Sequence, residues 1–228
     1  MSPRRRLAKY ARDWRTFPHD AVVAYRRGGF REVWDTLASR SLHRLVRVGR
    51  LIVFAHPLDR APEIQLPEGV TISRVNLAGC DALDTLVAQR ELDRFRGLVA
   101  AGRHCLVAWR GIRPIGYAWV AERMGSDVTA VPLQLPPDAA YLWDLYVVPA
   151  ERSNGIGSAL ATARCQVARA GGFREGWRMI EPSNHASVRT LERSGPGARV
   201  VGEIRFIKLM TRMYVRFTPS TIPAEPAL

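Results

Sequence analysis

Apolar residues recur along this chain at two spacings, one helical and one alternating, and the changes between them outline its elements. Near the start Leu7, Tyr10, Ala11, Trp14 and Phe17 fall at steps of three and four, which predicts an amphipathic helix stopped by Pro18. A further turn over Ala21–Tyr25 precedes Gly28-Gly29, and Phe30, Val33, Trp34, Leu37 and Leu42 mark a second helix. Arg47–Phe54 and Val70–Val75 read as strands. Helices are expected over Ala82–Val87 and Gln89–Ala101, with Gly102 as the stop. His104–Arg110 and Ile115–Glu122 form a predicted hairpin about the Gly111–Pro114 turn. The prolines between Met124 and Pro137 predict a long loop.

The second half is more sharply punctuated. Tyr141–Val148 is a strand pattern interrupted only by Asp144 and ended by Pro149, which cannot donate to a sheet ladder. Arg152-Ser153-Asn154-Gly155-Ile156-Gly157 is a glycine turn, and a helix runs from Ser158 to Gly171-Gly172. Trp177–Glu181 is a short strand, after which Asn184 starts a helix reaching Arg193. Val200–Phe206 and Met210–Phe217 predict two closing antiparallel strands, and 218–228 is a proline-rich tail expected to be disordered.

A hydrophobic content of 47% is that of a globular chain with a real core. Cys80, Cys105 and Cys165 are odd in number and have no metal spacing, so buried thiols in a reducing cytoplasm are expected and no metal is. No apolar run approaches a membrane span, which also points to the cytoplasm. Charge is uneven. Residues 1–60 hold 14 basic and 5 acidic side chains, a net +9 of the chain's +13. That excess favours an anionic partner such as coenzyme phosphates, an acyl carrier protein or a membrane surface. Nucleic acid is not expected, since no zinc, RNA-recognition or basic-zipper motif accompanies the charge.

The chemistry is concentrated where the strand at Tyr141–Val148 meets its glycine turn. The first N–H groups of a helix are unpaired and its dipole is positive there, so this junction suits a phosphate. Gly155 and Gly157 let such a group approach the backbone. The order R-x-x-G-x-G after an aromatic strand resembles the acyl-coenzyme A (acyl-CoA) pyrophosphate loop of the GNAT superfamily of N-acetyltransferases. A second segment, N-H-A-S-V-R-T-L-E-R-S-G from Asn184 to Gly195, is similar to that family's motif after its fifth strand. The resemblance covers about residues 68–217.

It implies an α+β fold, an α/β/α sandwich with a mixed, mostly antiparallel central sheet of about seven strands flanked by helices. The expected organisation is a basic helical extension over 1–60, read from charge and spacing, the acyltransferase domain over 68–217 that the resemblance implies, and the tail over 218–228. The implied donor is acetyl-CoA or another acyl-CoA, and the acceptor a primary amine of a small molecule or protein. The strands at Tyr141–Val148 and Trp177–Glu181 would splay apart to admit pantetheine. Leu145, Tyr146 and Val147 would bond its amides, and Arg152, Ser153, Asn154, Gly155, Ile156, Gly157 and Ser158 would hold the pyrophosphate. Asn184 would reach the pantetheine or cap its own helix. The family's thiolate-protonating tyrosine is matched by Leu191, which leaves the general acid unassigned. Asp144 and Glu122 are the first candidates for general base, with Glu181 and Tyr146 behind them. Asp144 can serve only if a bulge turns it to the substrate face. The alternatives are an acyl-carrier-protein-dependent N-acyl amino acid synthase and a non-catalytic acyl-CoA-binding regulator. A homodimer is compatible with all of these.

Overall fold

The computed structural model describes residues 46–129, 131, 133–209 and 212–220, together with Val22, Val23 and Arg26, which are helical. The helices expected over Leu7–Phe17 and Phe30–Leu42, and the tail beyond residue 220, lie outside the described residues.

The strands are β1 Val46–Pro57, β2 Val70–Val75, β3 His104–Arg110, β4 Arg113–Ala121, β5 Ala139–Val147, β6 Glu175–Ile180, β7 Arg199–Leu209 and β8 Arg212–Pro219. Among the described residues they form one sheet in the order β2-β3-β4-β5-β6-β1-β7-β8. Neighbours are antiparallel throughout except β5 and β6, which are parallel. The mixed, mostly antiparallel sheet is therefore as expected, with eight strands in place of about seven.

The additional strand is β1. The apolar run at Arg47–Phe54 does form a strand, but an interior one, paired with β6 on one side and β7 on the other. Val53, Ala55 and His56 are fully buried there. Among the described residues, β1 thus belongs to the same sheet as the strands from 68 onward, and it is the strand that joins β6 to β7.

Two helical layers cover the sheet. Helix α1, Gln89–Ala100, lays Leu92, Phe95 and Leu98 on Cys105, Val107, Tyr117 and Trp119. Phe95 meets the rings of Tyr117 and Trp119 edge-on, at 5.0 and 4.8 Å between centroids. Helix α2, Ile156–Ala170, lays Ile156, Leu160 and Ala163 on the opposite face, against Leu106, Ala108, Ile115, Ala118 and Val147. Helix α3, His185–Ser194, lies beside α2. Because β3 and β4 are covered on both faces, their sequences are nearly continuous apolar runs. Each large side chain buried this way contributes about 1.5–3 kcal/mol.

One helix starts four residues earlier than expected and is of the 3-10 type. In place of Ala82–Val87 there is a 3-10 turn over Ala78–Leu83. Asn76 causes it: its Oδ1 accepts from the Gly79 amide at 2.9 Å and turns the chain before the predicted start.

Candidate active site

The β5–β6 junction is open. Pairing covers only Ala139–Tyr141 against Glu175–Trp177. Beyond those three positions β5 runs on to Val147 and β6 to Ile180 without meeting, and the gap is a cleft of ≈ 570 Å³. Its walls are β5 from Leu142, β6 from Arg178, the head of α2 and the cleft-facing side of α3.

The turn at the head of α2 is fixed from below. Glu151 is buried and bonded to Arg110 at 2.8 Å and Arg113 at 2.6 Å, which clamps the turn to the β3–β4 hairpin. Its hydrogen bond from Arg110 holds the carboxyl below the usual range. Ser153 and Gly155 then adopt left-handed conformations, φ 66° and 80°, the second of which favours glycine. Arg152 reaches back to the Val147 carbonyl, Nε to O 3.1 Å, and its guanidinium stands 5.8 Å from the Tyr146 ring centre.

On β5 the strand carries a bulge. Tyr117 is opposite Tyr146 and Trp119 opposite Trp143, so Asp144 and Leu145 together face Ala118. Asp144 has φ 48°, a left-handed conformation rare outside glycine, asparagine and aspartate. Strict alternation would put it on the α2 face. The extra residue instead turns it to the α1 face, where its carboxylate accepts from Tyr117 Oη at 3.3 Å and stands 3.5 Å from Arg94 Nη1. Side chains of Trp143 and Tyr146 share that face, Trp143 stacked on Trp119 and Tyr146 tilted against Tyr117.

Of the residues expected to hold the donor, Leu145, Tyr146, Val147, Arg152, Ser153, Gly155, Gly157, Ser158 and Asn184 line the cleft, with Asp144. Asn154 does not, and the Ile156 side chain is buried beneath α2. Asn184 caps α3, its Oδ1 accepting from the Ser187 amide at 3.1 Å, while also facing the cleft. Glu122 lies outside it, just past the end of β4 and 3.0 Å from His104 Nε2, and Glu181 does not line it either. Leu191 is buried, and the cleft side of α3 is formed by Ala186, Ser187, Arg189, Thr190 and Arg193.

Among the cleft-wall residues that sequence reasoning missed are two buried arginines, Arg164 on α2 and Arg178 on β6. Both are buried, and burial lowers both pKa values, that of Arg164 to about 9. A signal existed: Arg164 stands alone in the otherwise small and uncharged run L-A-T-A-R-C.

A family profile described as the acetyltransferase (GNAT) family matches residues 79–195, which is half of the chain. No curated protein matches. Among solved structures, a Drosophila protein aligns with a TM-score of 0.55 at 17% identity, covering 80% of this chain and 67% of that one. A GNAT-family acetyltransferase from Colwellia psychrerythraea aligns with a TM-score of 0.52 at 13% identity, covering 76% and 60%. The glucosamine N-acetyltransferase region of a fungal multi-domain β-N-acetylglucosaminidase gives 0.52 at 12%, and there the match covers 77% of this chain but 22% of the fungal one. At these identities the likeness is one of fold. The profile, matching from the turn before α1 to the end of α3 and so spanning the whole splayed-strand site, shows that this chain belongs to the GNAT acetyltransferase family, whose general reaction is acyl-CoA-dependent N-acetylation.

Proposed function

We infer that the cleft receives the acyl-CoA with its pyrophosphate at the head of α2, and that a primary amine approaches the thioester from the α1 face. The observation that carries this reading is the three-position pairing of β5 with β6, followed by the bulge and the glycine turn on one continuous stretch. The N–H groups at the head of α2 suit the pyrophosphate. The cleft-side backbone of β5 from Leu142 to Val147 has no strand partner among the described residues, so it suits the pantetheine amides.

The amine nitrogen bonds to the thioester carbonyl carbon, and the carbon–sulfur bond breaks with its electron pair leaving on sulfur. A β5 amide at the bulge stabilises the oxygen that gains charge. Asp144 takes the proton lost by the amine. The thiolate leaves without a tyrosine, which is feasible because a thiol has a pKa of about 8.5.

Thermal denaturation with CoA and acetyl-CoA tests the site. At a concentration about a hundredfold above Kd, binding adds about 2.7 kcal/mol, or about 5–10 °C for a domain of this size. Gly157→Asp is the informative variant. The nearest atoms to a new Cβ are Val147 Cγ2 at 3.9 Å and Leu145 Cδ2 at 4.0 Å, so the fold accepts it while its carboxylate repels the pyrophosphate. The shift is expected in the wild type and lost in the variant. An equal shift in both would place the donor elsewhere.

A further inference from the structure

Among the described residues five arginines line the β5–β6 cleft, and two of them stand far from the turn that suits coenzyme phosphates. Arg164 is eight residues along α2, about 12 Å below its head at 1.5 Å per residue. Its Nη1 is 3.4 Å from the carbonyl of Trp143, two residues past Tyr141, where β5 stops pairing with β6. Arg178 directly follows Trp177, the last paired residue of β6. Both arginines therefore mark the closed end of the cleft.

Among the described residues neither has an ion-paired counter-charge; Asp144 acts on Arg164 only as the smallest of its electrostatic influences. Arg164 and Arg178 are 5% and 2% exposed. Arg178 donates to Ser194 Oγ at 3.0 Å and Cys165 Sγ at 3.4 Å, and the Nε atoms of both have no hydrogen-bond partner among the described residues. Among those residues neither meets a carboxylate at ion-pair distance. The carboxylate lining the cleft, Asp144, is engaged by Tyr117 and Arg94 on the α1 face. Fully buried His56 adds no negative charge; burial and the two arginines keep it neutral. Two buried guanidiniums without an anion are strongly unfavourable, and a carboxylate offers the planar, bidentate partner that they fit.

We propose that Arg164 and Arg178 receive a terminal carboxylate on the donor's acyl group, so that the donor is a short dicarboxylic acyl-CoA of the malonyl or succinyl kind. This rests on the donor lying in the cleft as inferred above. The transfer chemistry is unchanged. Nitrogen bonds to the thioester carbon, the carbon–sulfur bond breaks, CoA leaves as the thiolate, the amine proton goes to Asp144, and the terminal carboxylate is carried intact into the amide product.

Calorimetric titration of the full chain with CoA, acetyl-CoA and succinyl-CoA tests it. Succinyl-CoA should bind about tenfold or more tighter than acetyl-CoA, the worth of a charge-assisted hydrogen-bond pair. Arg164→Met should collapse that ratio towards one, and Arg164→Lys should keep part of it. Should Arg164→Met fail to fold, the wild-type ratio alone decides. Equal binding of acetyl- and succinyl-CoA by the wild type overturns the proposal and leaves the donor cleft standing. Failure of all three ligands to bind overturns both.

Discussion

His56 gives the fold a calculable weakness towards acid. It sits on β1, fully buried, against the backbone of β6 and the end of α3. A Cβ placed on Gly176 would lie 2.7 Å from its Nε2, and one on Gly195 2.8 Å from its Cγ. Burial, and then the charges of Arg178 and Arg164, lower its pKa from 6.5 to about 3, against a smaller opposing effect of the Pro57 backbone. Above pH 6.5 the ring is neutral both folded and unfolded, and its contribution is fully present. Between pH 6.5 and about 3 the unfolded chain binds a proton that the folded chain refuses, so stability falls by about 1.4 kcal/mol per pH unit. At pH 5 the loss is about 2 kcal/mol, and it is the same for any folded-state value below about 4. Against a typical total of about 5–15 kcal/mol that is readily measured. His56→Leu keeps an apolar side chain of similar size and removes the titration. Urea denaturation at pH 7.5 and pH 5, at fixed ionic strength, should show the wild type losing about 2 kcal/mol more than the variant between the two pH values. Any constant packing difference cancels in that comparison. Parallel losses in the two proteins would refute the reasoning, since they would mean that His56 titrates alike folded and unfolded.

Two other substitutions test the site and its support. Asp144→Asn should lower kcat by about 10²–10⁴, the range for a general base, with the deficit shrinking as rising pH supplies the neutral amine, and an unchanged rate would remove Asp144 from the chemistry. Gly176→Ala should cost about 1–3 kcal/mol in urea denaturation, because the new methyl group meets His56 and Leu142 Cδ1 at 2.8 Å, and a neutral effect would mean that β1 does not pack on β6 in this way.

The parts of the site legible in the sequence are those specified locally. The pyrophosphate turn is one: a strand ended by Pro149, left-handed Gly155 and the start of α2 are neighbours in the chain, and each is dictated by its own residue type. The strands β2 to β6 and the helices α1 to α3 were likewise readable from spacing, whereas the bulge that Asp144 needs appears only in the pairing of β4 with β5. What could not be read depends on partners distant in sequence. Glu122 sits beside His104 because β3 and β4 pair, which binds it to the surface and away from the cleft. Leu191 matches a catalytic position in sequence order but not in direction, since its helix turns Thr190 and Arg193 to the cleft. Arg164 and Arg178 come together only when α2 packs beside β6.

Strand β1, legible as a strand but not in its interior place in the sheet, also governs the cleft. Every residue of β6 from Glu175 to Ile180 is paired with β1, whereas only Glu175–Trp177 pair with β5. The path of β6 is therefore set from its β1 side, and β5 departs from it because β1, not β5, holds the last three residues. β1 is in turn tied to β7 over most of its length, with a register shift at Val53/Phe54. The twist between neighbouring strands accumulates along such a sheet, so a six-position ladder on one edge and a three-position ladder on the other splay β5 and β6 at the end where the donor would enter. The matched family segment begins at residue 79 and ends at 195, so both strands that fix this edge, β1 and β7, lie outside it. The same strand places His56 behind Arg178, where a neutral ring fills the space without competing for the guanidinium's charge. A segment read from its pattern as one more strand thus shapes the opening for the donor and backs the basic floor on which the donor's acyl group would end.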